Sequence, residues 1–115
     1  MPPKRGEIWL VNLDPTLGAE IKKTRPAVVV SADSVGRLPI KLVAPITEWK
    51  DHYAGNLWHV LINPDSSNGL LKPSAVDTIQ LRGLDHLRFI RKLGELLPTQ
   101  MDEIILAVAT VIEYP

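Results

Sequence analysis

The sequence predicts a mainly β fold with one helix: a small, strongly bent antiparallel sheet or barrel with a C-terminal amphipathic helix packed on it. Short apolar segments, separated by turn residues and prolines, predict the strands. The apolar spacing changes to a helical period only in the last segment. Many short strands followed by one such helix favour this architecture. The chain has 115 residues and no break in composition, so we expect a single domain over residues 1–115.

The first two predicted strands flank a polar loop. Residues 6–13 alternate, which places Trp9, Val11 and Leu13 on one face of a strand. Turn residues follow at 14–18, and the polar stretch that ends at Arg25 is predicted to be a surface loop. Residues 27–30 are continuously apolar, which predicts a strand covered on both faces.

Four further segments are predicted to be strands. Residues 40–47 form the first, and Pro45 within it lacks a ladder donor, so this strand should lie at an edge or bend there. Residues 57–62 and 76–81 follow, separated by a loop at 63–73. A short strand is expected at 89–93.

The last segment is predicted to be a helix that begins at Thr99 as N-cap, with Asp102 at the capping-box position. Glu103, Ala107 and Thr110 are expected on its outer side. Its apolar stripe consists of Met101, Ile104, Ile105, Val108, Val111 and Ile112.

Composition excludes several classes of chemistry. Cysteine is absent, which rules out disulfides, thiolate catalysis and cysteine-ligated zinc. The sequence has no His-x-His or His-Glu-x-x-His spacing and no evident carboxylate cluster, so we expect no metal and no other cofactor. No apolar run reaches the roughly 18 residues of a membrane span, so we expect a cytoplasmic protein with no membrane contact.

The formal net charge is +0, which by itself does not favour a nucleic-acid partner. The cations are clustered, however, so local phosphate-binding patches are still expected. The clusters are Lys22, Lys23 and Arg25, and Arg82, Arg88, Arg91 and Lys92.

Ordered segments over most of the chain resemble the MazF/PemK toxin endoribonucleases. They include Arg5-Gly6-Glu7-Ile8-Trp9, Asp14-Pro15-Thr16, Gly18-Ala19-Glu20, Lys23-Thr24-Arg25-Pro26-Ala27-Val28-Val29-Val30-Ser31, Pro45-Ile46-Thr47, Gly69-Leu70, Pro73-Ser74-Ala75-Val76, Gln80-Leu81-Arg82 and Lys92-Leu93-Gly94. The order and spacing of these segments carry the resemblance.

The resemblance implies an SH3-like barrel of the CcdB/PemK type and a homodimer with an RNA groove across its interface. It also implies a sequence-selective toxin that cuts single-stranded RNA without a metal. Attack by the substrate's 2′-hydroxyl would leave a 2′,3′-cyclic phosphate and a 5′-hydroxyl. A cognate antitoxin with a flexible acidic tail would neutralise the toxin.

Arg25 and Thr47 match the catalytic arginine and threonine of this family. A guanidinium stays charged and makes bidentate contacts with phosphoryl oxygens, and a threonine hydroxyl can donate to the same group. Without the surrounding motif, each would be read as a solvated loop charge or an ordinary strand residue.

The predicted substrate contacts are Glu20, Lys22, Lys23, Ser31, Gln80 and Arg82. Glu20 is a candidate general base or base-edge contact, and the identity of the base stays open. Gln80 could read a base edge or be a structural amide. Among the other polar candidates, His59 is expected to be structural, and His52 and His86 to be surface residues.

Of the tryptophans, Trp9 and Trp58 are expected in the core and Trp49 is the one placed to stack on a base. The main alternative function is a non-catalytic toxin of the same fold that grips a protein, as the gyrase poisons do. Arg25 and Thr47 favour the nuclease. An inactive relative is the third possibility.

Overall fold

A computed structural model describes residues 2–35 and 38–115. Within them the chain forms seven strands, four short 3-10 turns and one α-helix. The strands are β1 (Glu7–Asn12), β2 (Thr24–Val29), β3 (Ile40–Glu48), β4 (His59–Ile62), β5 (Ser74–Asp77), β6 (Arg82–Asp85) and β7 (Phe89–Glu95), and the helix is α1 (Pro98–Val111).

All strand pairs are antiparallel, in the order β4-β5-β3-β2-β1-β7, with β6 also paired to β3. The bent antiparallel sheet with one C-terminal helix confirms the predicted fold class.

Strand β3 is shared by two parts of the sheet and changes partner at Pro45. Residues 40–43 pair with β6, whereas residues 46–48 pair with β5. On its other edge β3 pairs with β2, where Ala27 lies opposite Pro45. Pro45 is therefore in a central strand, and of the two expectations the bend is correct and the edge position is wrong.

The core consists of two groups of buried side chains on opposite faces of β1 and β2. Ile8 and Val28 belong to the group that packs against α1, together with Ile46 and Ile104. Val11, Leu13, Ala27 and Val29 belong to the second group, against which Trp9 packs. This confirms the common face of Trp9, Val11 and Leu13, and the burial of residues 27–30 on both faces.

Two local predictions are wrong between residues 76 and 85. The predicted strand at 76–81 is the end of β5, and it continues into a 3-10 turn at Thr78–Gln80. The Asp77 carboxylate accepts the Ile79 N–H at 3.1 Å and favours this turn. The chain then continues in the same direction along β3 as β6, which was not predicted.

The N-cap of the helix lies two residues earlier than predicted. Leu97 is the N-cap, Pro98 starts the first turn, and the Gln100 Oε1 accepts the Leu97 N–H at 2.8 Å. Thr99 thus lies inside the helix, and the predicted Thr99 cap is wrong.

The buried face of α1 is also rotated from the predicted stripe. Ala107 is buried with Met101 and Ile104, and Ile112 is exposed. Among the described residues, no helix is sufficiently long and apolar to cross a bilayer.

A polar cluster joins β1 to β7. Glu7 Oε1 accepts from the Trp9 indole N–H at 3.0 Å and from the Lys4 N–H at 2.8 Å, and Glu7 Oε2 lies 3.2 Å from Lys92 Nζ. Burial raises the pKa of Glu7, but these hydrogen bonds and the Lys92 charge outweigh it, so the pKa lies below its ordinary value. Hydrogen bonds to Glu95 and then Glu7 raise the pKa of Lys92.

Candidate functional site

The strand register brings Arg25 and Thr47 together. Ala27 pairs with Pro45 and Val28 with Ala44. The same register continued by two residues places Arg25 opposite Thr47, and alternation puts both on one face. Both residues border one cleft of about 480 Å³.

This cleft combines apolar walls with charged groups at its rim. Leu10, Pro26 and Leu93 line it from β1, β2 and β7. A cleft of this size and character is typical of sites that enclose an organic group and hold it with a few polar contacts. The polar residues of the lining are Arg25, Thr47, Glu48, Lys72, Ser74 and Arg91.

The guanidinium of Arg25 is largely available to a ligand. Its Nε donates one long hydrogen bond of 3.4 Å to the Lys22 carbonyl. Across residues 2–35 and 38–115, Arg25 takes part in no salt bridge. An exposed, unpaired guanidinium at the mouth of a cleft is suited to bidentate contact with a phosphate.

Three charged residues of the cleft were missed as site residues by the sequence reasoning. Arg91 extends from β7 opposite Leu10, and adds a second guanidinium. Glu48 directly follows Thr47, and its Oε2 lies 3.3 Å from Lys72 Nζ. Successive strand residues point to opposite faces, so the position of Glu48 directly after Thr47 gave no signal, and no local pattern links Arg91 or Lys72 to this cleft.

Glu20, Gln80 and Arg82 line a second cleft of about 430 Å³, with Pro15 and Ile79. They are grouped as substrate contacts require, but they do not line the Arg25 cleft. Glu20 Oε1 accepts the Leu17 N–H at 2.7 Å, so its carboxylate also caps a turn of its own loop.

The side chain of Gln80 joins the β1–β2 loop to the 3-10 turn that follows β5. Its Oε1 accepts the Ile21 N–H at 2.6 Å, and its Nε2 donates to the Ala19 carbonyl at 3.3 Å. Arg82 adds a third tie, since its Nη1 donates to the Leu13 carbonyl at 3.2 Å. These contacts fix the loop that carries Glu20.

The remaining predicted contacts lie apart from the lining of both clefts. Lys22 and Lys23 are exposed in the β1–β2 loop, next to Arg25. Lys23 has a φ of 71°, and its N–H donates to Asp14 Oδ1 at 3.1 Å. Ser31 follows β2, where its Oγ accepts the Leu42 N–H at 3.1 Å.

The histidines and two tryptophans have structural surroundings. His59 stacks on Tyr53 with ring centroids 3.9 Å apart, and its Nε2 lies 3.6 Å from Asp77 Oδ2, which confirms a structural histidine. His52 and His86 are exposed, as expected. Trp58 precedes β4 and is 37% exposed, so its predicted core position is wrong.

Trp9 is half-buried against Phe89, close to the expected core position. Trp49 packs edge-on against Tyr53, with centroids 5.7 Å apart. Its predicted role in base stacking stays a prediction.

The fold and the cleft together define a small β-sheet protein with a cationic site suited to an extended, phosphate-bearing ligand. The family model described as PemK-like, MazF-like toxin of type II toxin-antitoxin system matches residues 4–112. The chain belongs to this family.

Known relatives agree with this assignment, and a solved structure shares the fold. The endoribonuclease toxin ChpB of Escherichia coli K12 is 30% identical over 113 residues, with 96% of this chain and 94% of ChpB covered. Endoribonuclease MazF9 of Mycobacterium tuberculosis is 29% identical over 107 residues, 88% of each chain. The crystal structure of MazF from Deinococcus radiodurans has a TM-score of 0.82 at 23% identity and covers 98% of both chains.

Proposed function

We propose that this chain is a sequence-selective, metal-independent endoribonuclease that cuts single-stranded RNA as the toxin of a toxin-antitoxin pair. Its family and the endoribonuclease names of relatives matched along most of their length support this activity. The observation that carries the proposal is the common cleft of Arg25 and Thr47, two groups that can bind a phosphoryl group. This cleft favours cleavage over a purely protein-binding toxin.

In the proposed reaction the 2′-oxygen attacks the adjacent phosphorus and expels the 5′-oxygen. Negative charge builds on the non-bridging oxygens during this step. Arg25 stabilises that charge through paired N–H donors, and the Thr47 hydroxyl adds a neutral donor. The products are a 2′,3′-cyclic phosphate and a free 5′-hydroxyl.

The second cleft is proposed to bind the nucleotides next to the scissile phosphate. Glu20, Gln80 and Arg82 line it, and unpaired RNA bases expose edges that carboxylates, amides and guanidinium groups can read. Lys22 and Lys23 add charge on the neighbouring loop and attract the backbone phosphates. Ser31 stays a predicted contact.

The proposal includes a homodimer and a complex with an antitoxin. A homodimer would extend the short cationic surface of one chain into a longer RNA groove, and two-fold pairing is the commonest route to one. An antitoxin with a flexible acidic tail would occupy the same cations and exclude RNA. If sedimentation gives only monomer at micromolar protein, the homodimer is contradicted. If antitoxin peptide and uncleavable RNA bind at the same time, a shared site is contradicted.

The decisive test uses the nucleophile. Cleavage of a defined RNA should persist in excess EDTA, and a single 2′-deoxy or 2′-O-methyl nucleotide 5′ to the cut should abolish it while sparing binding. Inhibition by EDTA, or normal cutting of the deoxy substrate, contradicts the mechanism. The 5′ ends produced from a long mixed RNA would give the recognition motif.

A variant test addresses Arg25. Arg25→Ala should lower turnover by at least about 10²-fold, the loss typical of removing a transition-state donor. Folding should be unaffected, because within the described residues the side chain makes one hydrogen bond, the long 3.4 Å contact with the Lys22 carbonyl. An active Arg25→Ala protein removes this residue from the mechanism.

A further inference from the structure

A chain of polar contacts runs from the start of β4 through β5 to the loop between β1 and β2. His59 of β4 lies directly opposite Asp77 of β5, and His59 Nε2 is 3.6 Å from Asp77 Oδ2. Gln80 Nε2 donates to the same Oδ2 at 3.4 Å, and the Gln80 amide binds the loop backbone at two points. The contacts therefore connect β5 to the loop that carries Glu20.

The carboxylate of Asp77 is held from several sides. Asp77 is buried, and its Oδ1 accepts the Ile79 N–H at 3.1 Å, while Oδ2 faces Gln80 and His59. The Asn56 amide nitrogen can only donate, so His59 Nδ1 accepts from it at 3.2 Å, and Nε2 is the ring nitrogen that directs a proton toward Asp77. A buried carboxylate that is surrounded by donors has a fixed position.

The side-chain amide of Gln80 uses both of its hydrogens within the protein. One is donated to the Ala19 carbonyl at 3.3 Å and the other to Asp77 Oδ2. Gln80 Oε1 accepts the Ile21 N–H at 2.6 Å. Because a carboxylate only accepts hydrogen bonds, Asp77 turns the NH2 end of the amide toward itself and the oxygen toward Ile21. Gln80 therefore holds the loop and has no hydrogen left for a base.

Gln80 is also the point at which the middle of the β1–β2 loop is attached. Within the part of the chain that the structure describes, hydrogen bonds from residues 15–21 to groups outside the loop go to Gln80 alone. The Ile21 side chain adds packing against the second core group. Glu20 lies between the two bonded residues and borders the second cleft, so its position depends on the Gln80 amide.

We propose that Asp77 is a positioning residue for RNA recognition, an inference that rests on the proposed function. Its carboxylate fixes the Gln80 amide, which holds the loop so that Glu20 stands at the second cleft. Asp77 borders neither cleft, so it acts through Gln80 and not by contact with RNA. A binding group that is already held in place loses less freedom when the ligand arrives, and therefore binds more tightly.

The variant Asp77→Asn separates this role from that of a turn cap. Asparagine keeps an oxygen for the Ile79 N–H, but it presents an NH2 group to Gln80 Nε2, and two donors cannot pair. The Ile21 N–H should then exchange with solvent at least about fivefold faster, the factor that corresponds to one net hydrogen bond. Amides of β2 should exchange as in wild type. Asp77→Ser, a cap too short to reach Gln80, should give the same result and serves if the asparagine variant is unfolded.

Steady-state cleavage of a defined RNA measures the effect on recognition. Asp77→Asn should raise KM by at least about fivefold and leave kcat within about twofold, because Arg25 and Thr47 keep their places. Glu20→Gln, which keeps an acceptor for the Leu17 N–H, should raise KM by a similar factor. Added to Glu20→Gln, the Asp77→Asn change should raise KM by less than about a further twofold, because it acts through a group that is already altered.

Asp85→Asn is the matched control. Asp85 also caps a 3-10 turn, since its Oδ1 accepts the Leu87 N–H at 2.9 Å, and it lies 3.5 Å from a histidine nitrogen, that of His86. Within the described residues its side chain makes no hydrogen bond to Gln80 or to the β1–β2 loop. Exchange of the Ile21 N–H and KM should both match wild type, and circular dichroism should show that every variant is folded at the assay temperature.

Each contrary result has its own meaning. If Ile21 exchange is unchanged in both Asp77 variants, the carboxylate only caps its turn and the inference is wrong, whatever the RNA assay gives. If KM is unchanged in either single variant, or if the two KM effects multiply in the double variant, Asp77 does not act through Glu20 and the inference is also wrong, although the proposed function stands. If wild type leaves RNA intact, the proposed function itself fails.

Discussion

Replacing Asn68 should destabilise the protein strongly although the residue lies in a loop. Its side chain is fully buried. Oδ1 accepts the Leu70 N–H at 3.0 Å and the Asp65 N–H at 3.3 Å, and Nδ2 donates to the Asn63 carbonyl at 2.9 Å. The side chain thereby replaces the backbone pairing that this loop lacks.

Asn68→Ala removes all three hydrogen bonds and leaves their backbone partners unpaired. At about 1 kcal/mol for each bond, the free energy of unfolding should fall by about 3 kcal/mol. For a domain of this size the melting temperature should fall by roughly 10 °C. Asn68→Asp keeps both acceptor contacts but turns a carboxylate oxygen toward the Asn63 carbonyl at a buried position, so its loss should be at least as large.

Urea unfolding at 25 °C, followed by circular dichroism, measures the difference. Asn63→Ala is the matched control, because Asn63 is exposed and contacts Asn68 through its backbone carbonyl, which alanine retains. The control should stay within about 0.5 kcal/mol of wild type. A loss below about 1 kcal/mol for Asn68→Ala would mean that other groups satisfy the loop and that the reasoning is wrong.

Three further predictions concern a glycine, a partly buried carboxylate and the cleft. Gly69→Ala should lower the free energy of unfolding by well over the roughly 1–2 kcal/mol of a positive φ, because the added Cβ would lie 2.1 Å from a backbone oxygen. Gly55→Ala is the control. Its φ is also positive, at +90°, but the space around it is open, so in the same assay it should lose only the free energy of the positive φ. Glu7→Gln should be less stable than wild type at neutral pH. The difference in free energy of unfolding should shrink as the pH falls below the ordinary pKa of 4.5 and through the lowered pKa of the folded state, because protonation of Glu7 removes the same charge. A difference that does not change with pH contradicts this. Thr47→Ala should slow cleavage less than Arg25→Ala, because a neutral hydroxyl is the weaker donor, and Thr47→Ser should retain most of the rate; equal losses for alanine and serine would point to packing instead.

The sequence by itself determined most of the elements and the family. Alternation located β1, the continuous apolar run located β2, and the change of period located α1, because these patterns depend on local backbone geometry. The ordered motifs around Arg25 and Thr47 indicated the family that the comparison confirmed.

Only the tertiary structure decided which residues share a cleft. Pro45 indicated either a bend or an edge strand. The structure shows that β3 pairs with β2 on one side and with β6 and then β5 on the other, so β3 is not an edge strand. Lys72 and Arg91 reach the cleft from segments far along the chain, which no local pattern reveals. Side-chain proximity across antiparallel strands depends on register and on the bend of the sheet, and both are set by packing over the whole domain.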